Sequence, residues 1–311
     1  MKKISIIVPC YNEEESILLF YEKTLQALQE IVDVTYEFIF INDGSSDHTI
    51  DIIKQLSMKD KNVIYYSFSR NFGKEAGMYA GLSNATGDYC VIMDADLQHP
   101  PMLLKDMYYA ITVEGYDCCA GKRIDRAGEG KIRNFFSKCF YKVISKMSKM
   151  DMSDGAGDFR MMTKQMVNAL LDLKEYNRYM KGMFSFIGFE TKWIEFHNVE
   201  RVAGTSKWNL KSLFHYAFEG ILSFSTTPLH ISGFLGILLV FISFIMFGII
   251  VTNLFLGNTL SAFFYITCLI LFLSGIQMIF VSILGEYLAK DYMENKNRPI
   301  YIIKETNRKC L

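Results

Sequence analysis

Tyr89-Cys90-Val91-Ile92-Met93-Asp94-Ala95-Asp96-Leu97-Gln98-His99-Pro100-Pro101 is an apolar run that ends in two carboxylates one residue apart. Successive side chains on a strand alternate faces, so Asp94 and Asp96 point the same way and Ala95 the other. Like charges held that close are unfavourable unless a cation or protons intervene, and hard divalent cations such as Mg²⁺ or Mn²⁺ prefer oxygen ligands. Mg²⁺ seldom takes an all-protein cage, so its other positions would go to water and a substrate diphosphate. Such a pair also occurs as solvated turn residues, and its surroundings decide between the two readings.

Outward from this stretch, short apolar runs alternate with helical patterns. Ile4–Val8, Tyr36–Ile41, Val63–Tyr66 and Tyr89–Met93 are expected strands, and helices are expected near Glu14–Ile31, Asp47–Ser57, Lys74–Asn84 and Pro101–Val113. This rhythm predicts an α/β fold with a mostly parallel sheet flanked by helices. Ligands of such sheets bind beyond the carboxyl ends of the strands. Polar clusters fall there: Pro9-Cys10-Tyr11-Asn12-Glu13-Glu14, Asn42-Asp43-Gly44-Ser45-Ser46-Asp47, Ser69-Arg70-Asn71-Phe72-Gly73-Lys74, and Asp94 to Pro101.

No G-x-G-x-x-G opens a helix and no G-x-x-x-x-G-K-[ST] is present, which removes a Rossmann dinucleotide site and a P-loop. A nucleotide could still be held through base and ribose by Tyr11, Glu13 and Asp43, and through its diphosphate by a metal on Asp94 and Asp96. Asp43 taken singly is equally a turn-forming Asx residue.

The 33 basic and 33 acidic residues cancel, so no global field argues for nucleic acid. Seven scattered cysteines without C-x-x-C spacing read as reduced thiols facing a cytosol. Half of the residues are hydrophobic and the mean hydropathy is +0.15, which points to lipid. Between His230 and Glu286 there is no Asp, Glu, Lys or Arg. Two runs there, about Ile231 to Thr252 and Ala262 to Leu284, each reach the roughly 20 residues that a bilayer core needs. Two crossings return the chain to its starting side. Lys290, Lys296, Arg298, Lys304, Arg308 and Lys309 place that side in the cytoplasm by the positive-inside rule. The expected organisation is a cytosolic domain over 1–206, a juxtamembrane amphipathic helix over 207–228, a transmembrane hairpin over 229–288 and a cytosolic tail over 289–311, in the cytoplasmic (inner) membrane.

The motifs Pro9-Cys10-Tyr11-Asn12-Glu13-Glu14, Asn42-Asp43-Gly44-Ser45, Asp94-Ala95-Asp96-Leu97-Gln98-His99-Pro100 and Gly157-Asp158-Phe159-Arg160 resemble, in order and spacing, the family 2 inverting glycosyltransferases of GT-A fold. Within that family the chain is similar to the polyprenyl-phosphate branch, which includes bactoprenol glucosyltransferases and dolichol-phosphate mannose synthases. The resemblance implies that Pro9, Tyr11, Glu13 and Asp43 surround the base and ribose of a nucleotide sugar, with Asp94 and Ala95 beside ribose and diphosphate. It implies Asp96 and Gln98 as metal ligands, with Asp94 a further candidate. Arg123 matches a basic residue after the next strand, and Lys181, Arg201, Lys207 and Trp208 match later donor and acceptor positions. Asp158 falls where the family places its proposed catalytic base. The chain has Gly157-Asp158-Phe159-Arg160 where in the mannose synthases a Ser often precedes Phe-Arg, which favours the bacterial branch.

Independently of the family, departure of a nucleoside diphosphate develops negative charge that a divalent cation addresses. A lipid monophosphate, with a second pKa of about 6, is already a nucleophile at neutral pH, so little work remains for a base. Asp158 is therefore a candidate to orient the acceptor or to stabilise the cationic sugar; a capping or strand-end Asp is the plain alternative. Attack opposite the diphosphate inverts the anomeric centre, so an α-nucleotide sugar gives a β-linked lipid phosphosugar. From Lys131 to Lys149, lysines and Arg133 recur among Phe135, Phe136, Phe140 and Tyr141 at helical spacing, an amphipathic pattern suited to an anionic membrane surface. Arg126, Arg133, Arg201 and Lys207 are candidates for the lipid phosphate.

UDP-glucose is the favoured donor, with UDP-GlcNAc and GDP-mannose open, and undecaprenyl phosphate the expected acceptor in cell-surface glycan modification. A processive polysaccharide synthase and a nucleotide-sugar-sensing membrane protein are the other classes. The former normally carries Q-x-x-R-W and more spans, and Trp193 and Trp208 lack that context. Gly233, Gly236, Gly248 and Ser274-Gly275 suit packing between spans, which leaves a homo-oligomer open.

Overall fold

A computed structural model describes residues 1–123, 156–176, 178–196 and 262–308. The chain divides into two units, Met1–Gly220 with Pro299–Leu311, and Ile221–Arg298.

The first unit is built on one eight-stranded sheet. Its strands are β1 (Lys2–Cys10), β2 (Val34–Asn42), β3 (Val63–Phe68), β4 (Tyr89–Ile92), β5 (Cys118–Arg123), β6 (Ala156–Thr163), β7 (Thr191–Phe196) and β8 (Ile303–Thr306). The helices of this unit are α1 (Ile17–Gln29), α2 (Thr49–Lys59), α3 (Lys74–Asn84), α4 (Leu103–Thr112), α5 (Lys164–Asp172) and α6 (Met180–Phe186). The strand order is β7-β5-β6-β4-β1-β2-β3-β8. Parallel pairing joins β3, β2, β1 and β4, and again β5 and β7; β6 and β8 run against their neighbours. The α/β sheet with flanking helices and the four expected strand–helix pairs are thus present.

The long apolar runs follow from helices covering both faces. Ile4, Ile6 and Val8 of β1 join Phe38 and Phe40 of β2 and Ile17 and Phe20 of α1 in one core, while Ile7, Ile39 and Ile41 are fully buried on the other face. There α3 lies so close that a Cβ on Gly81 would stand 2.2 Å from Ile7 Cγ2. Strand β1 is also where the order reverses, with β2 on one side and β4 on the other, so a crevice opens beyond its carboxyl end.

The opposite end of the sheet is pinned by a buried carboxylate. Glu37 accepts from Ser5 Oγ at 2.6 Å, Lys3 Nζ at 2.7 Å and the Thr86 backbone N–H at 2.8 Å. Burial works against its charge, but these donors win and hold its pKa below the ordinary value.

The C-terminal segment is part of the sheet. Strand β8 pairs antiparallel with β3, Asn307 bonds both the Tyr65 N–H and the Val63 carbonyl at 2.9 Å, and Tyr301 stacks on Phe68 with centroids 5.0 Å apart. The expected tail is therefore the sheet's edge strand, a role that four residues of modest apolarity do not advertise.

In the second unit the described element is α7 (Ala262–Asn295), 34 residues long. The first expected span, 231–252, and the amphipathic segments 131–149 and 207–228 lie outside the described residues. The second expected span falls within α7, yet among the described residues no helix is long and apolar enough to cross a membrane. The expected transmembrane hairpin is thus unsupported among the described residues.

Candidate active site

The carboxyl ends of β1, β2, β3 and β4 bring the four polar turns together, and hydrogen bonds lock them. After β1, Asn12 takes a left-handed φ of 53° and its Oδ1 accepts from Ser46 N–H at 2.8 Å. The Glu13 N–H donates to Thr49 Oγ1 at 2.8 Å. Glu13's carboxylate accepts from Ser16 Oγ at 2.9 Å, and Tyr11 stands partly exposed on the same turn. Pro9 lies under α3, where a Cβ on Gly77 would approach it to 3.3 Å.

Asp43 is buried, and its oxygens accept the backbone N–H groups of Phe72 at 2.6 Å and Gly73 at 2.9 Å. Burial nonetheless raises its pKa, against those bonds and the nearby Arg70 charge. Gly44 lets the two loops touch: its φ is +67°, and a Cβ there would lie 2.6 Å from the Arg70 carbonyl carbon. The Asx reading of Asp43 thus becomes a specific job, holding the loop that starts α3.

That loop delivers Lys74, a residue absent from the sequence-derived site. Its Nζ lies 2.7 Å from Asp94 Oδ1, 2.9 Å from Asp94 Oδ2 and 2.8 Å from Asp158 Oδ2. Burial disfavours the ammonium, but Asp158 and Asp94 outweigh it and hold it above the ordinary lysine range. Burial likewise opposes charge on Asp158, where Lys74 first and Lys181 of α6 next prevail, so its pKa falls far below a normal carboxylate. Asp94 is lowered for the same reason, Lys74 overcoming burial. Asp158 Oδ1 is buried without a hydrogen-bond partner.

Beyond β4 the chain turns at Leu97, a non-glycine residue with φ of 59°, the kind of strained backbone that gathers at functional sites. The turn sets the Gln98 N–H on Asp96 Oδ1 at 3.1 Å, and Arg123, at the end of β5, donates to Gln98 Oε1 at 3.2 Å. Ala95 is buried in the core, 2% exposed, although β4 ends at Ile92 and Asp94, Ala95 and Asp96 lie in the turn beyond it and not on the expected strand. His99 stacks on Phe159 at 4.9 Å, its Nδ1 buried and unpaired; burial, with Arg123 and Lys74, lowers its pKa against the pull of Asp94. Arg160 is buried over the Phe184 ring at 3.5 Å and donates to the Gly157 carbonyl at 3.0 Å.

The structure therefore brings Pro9, Tyr11, Glu13, Asp43, Asp94, Ala95, Asp96, Gln98, Arg123, Asp158 and Lys181 to one sheet edge. Arg126, Arg133, Arg201, Lys207 and Trp208 lie outside the described residues. Lys74, His99 and Arg160 are the additions. Lys74 could have been flagged from sequence, since it closes the third polar cluster and opens a helix at the ligand edge of the sheet.

For a divalent cation the donor set is hard oxygen, Asp96 and Gln98 on one turn, while Asp94 already faces an ammonium. Among the described residues no group of three or more His, Cys, Asp and Glu side chains could hold a metal.

Residues 5–171 match the family described as Glycosyl transferase family 2. The chain belongs to this family. As a family 2 glycosyltransferase it is 41% identical over 308 residues, 98% of this chain and 99% of the relative, to the SfII prophage-derived bactoprenol glucosyl transferase of Shigella flexneri. It is 44% identical over 308 residues, 98% of this chain and 92% of the relative, to CsbB of Bacillus subtilis (strain 168), provisionally named a glycosyltransferase. A mycobacterial protein of known crystal structure shares the fold, with a TM-score of 0.50 and 17% identity over 71% of this chain and 73% of its own.

Proposed function

We propose that this glycosyltransferase moves a sugar, glucose from UDP-glucose in the favoured case, onto a polyprenyl phosphate such as undecaprenyl phosphate, with inversion, at the cytoplasmic face of the inner membrane. The observation that carries the reading is the match to a bactoprenol glucosyl transferase over 98% of the chain, which extends past the sheet domain through the charge-free stretch between His230 and Glu286.

The site supports the chemistry. The crevice beside β1 receives the nucleotide, with Tyr11 and Glu13 at its rim and Arg123 on the Gln98 side. Asp96 and Gln98 would hold Mg²⁺ or Mn²⁺. When bound, such an ion offsets the charge that develops on the departing nucleoside diphosphate. Asp158 stays ionised beside Lys74, so it has little capacity as a base; a dianionic lipid phosphate needs none. Its negative charge suits the cationic character that the sugar acquires as the bond to the diphosphate breaks. The phosphate oxygen then forms the new bond from the opposite face, giving a β-linked product from an α-linked donor.

The chain leaves the sheet unit before Ile221 and is back in its sheet at Ile303, so any crossings made by residues 221–298 are even in number. The runs 231–252 and 262–284 supply two, each free of charge. Arg126, Arg133, Arg201 and Lys207 are proposed for the lipid phosphate, and association of like chains through the spans is part of the same proposal.

Turnover by the full chain in lipid, run in parallel on UDP-glucose, UDP-GlcNAc and GDP-mannose with polyprenyl phosphate, tests the reading. Transfer from UDP-glucose above the others is expected, and Asp96→Ala removes it. An Asp96→Ala enzyme with full turnover contradicts the metal assignment.

A further inference from the structure

We propose that Lys74 is a positioning residue of the transfer reaction: by clamping Oδ2 of Asp158 against Asp94 it aims Oδ1 of Asp158 at a hydroxyl of the donor sugar. The inference rests on the glycosyl-transfer reading above.

Three elements converge to make the clamp. Asp94 follows β4, Asp158 lies on β6, and Lys74 is the first residue of α3, reaching both carboxylates within 2.9 Å. A cation at a helix N-terminus is disfavoured by the helix dipole, so local preference alone does not put a lysine there. Such a local conflict marks a residue kept for its task. Its backbone approach is fixed too, since Asp43 accepts the N–H of the preceding Gly73.

The clamp occupies one oxygen of Asp158 and leaves the other buried with no partner. A buried acceptor without a donor is costly, so a donating group fits there during the reaction. A dianionic phosphate has no proton to give and would be repelled. A sugar hydroxyl donates, is neutral, and belongs to the molecule that the crevice is built to hold.

A double-mutant cycle on the purified full chain in lipid, with UDP-glucose and polyprenyl phosphate, tests this. Lys74→Met is expected to lower kcat about 100-fold, the scale of a misplaced catalytic group. In an Asp158→Asn background the same change costs under about threefold, because the residue through which Lys74 acts is already disabled. Equal losses in both backgrounds, or a loss confined to KM, overturn the proposal. If Lys74→Met does not fold, Lys74→Arg carries the same reading: its smaller kcat loss vanishes with Asp158→Asn, and persistence overturns it. A wild-type enzyme that transfers no sugar defeats the glycosyl-transfer reading as well; an active one with an additive cycle defeats only the role of Lys74.

Discussion

The Asp43 carboxylate accepts the Gly73 backbone N–H at 2.9 Å, so the end of β2 sets where α3 begins and hence where Lys74 stands. The second bond, from Phe72 N–H at 2.6 Å, uses the other oxygen. Asp43→Ala leaves two partly buried N–H groups unpaired, at about 1 kcal/mol each. Denaturant unfolding of the variant is expected to show that loss, with kcat lowered through the displaced Lys74. Unchanged stability contradicts the loop-holding role.

Glu37 predicts a pH dependence of stability rather than of activity. Its folded pKa lies below the unfolded value, so its contribution is present above the unfolded carboxylate range near 4.3 and is lost as pH falls through the folded value. Glu37→Gln is expected to lose about 2 kcal/mol at pH 7, where hydrogen bonds to a charged acceptor are at stake. The gap from wild type narrows on acidification. Unfolding curves at pH 7 and pH 4 check the sign.

The edge strand β8 predicts that the C-terminal segment is needed for a well-behaved sheet. Asn307→Ala removes both 2.9 Å bonds to β3 and is expected to cost about 1–3 kcal/mol. Deleting residues 301–311 uncovers β3 with Tyr65, Tyr66 and Phe68, a bare edge prone to pair with other chains. Size-exclusion chromatography of the truncated chain should show aggregation.

Asp158 predicts a pH profile. Lys74 and Lys181 hold its pKa well below the usual range, so its charge does not change between pH 5 and 8. The acid limb of kcat/KM for the lipid then belongs to the acceptor phosphate, near pH 6. Asp158→Asn should lower the whole profile without moving that limb. A limb that disappears in the variant assigns it to Asp158 and restores a base role.

Much of the fold was legible because β1, β2 and β4 are buried on both faces and β1 bears Ile4, Ile6, Ile7 and Val8 without polar interruption beyond Ser5. The turns were legible because Asn, Asp and Gly cluster where each strand ends. The position of Lys74 in the third polar turn was legible, but its pairing was not, since its partners are 20 and 84 residues away and only the folded sheet brings them together. Strand β8 was hidden for a similar reason: Ile303–Thr306 has no pattern of its own and gains its place from β3, 240 residues earlier in the chain at the Tyr65–Glu305 contact. The separation of Asp94 from Asp96 follows likewise from Lys74, which the D-x-D spacing alone does not reveal.

The most direct measurement follows both products of the purified full chain in lipid bilayers supplied with UDP-glucose, polyprenyl phosphate and Mg²⁺ or Mn²⁺. Equal amounts of UDP and a β-linked polyprenyl phosphate glucose are predicted, and omission of the lipid stops both. UDP released at the same rate without lipid acceptor, or an α-linked product, would contradict the account.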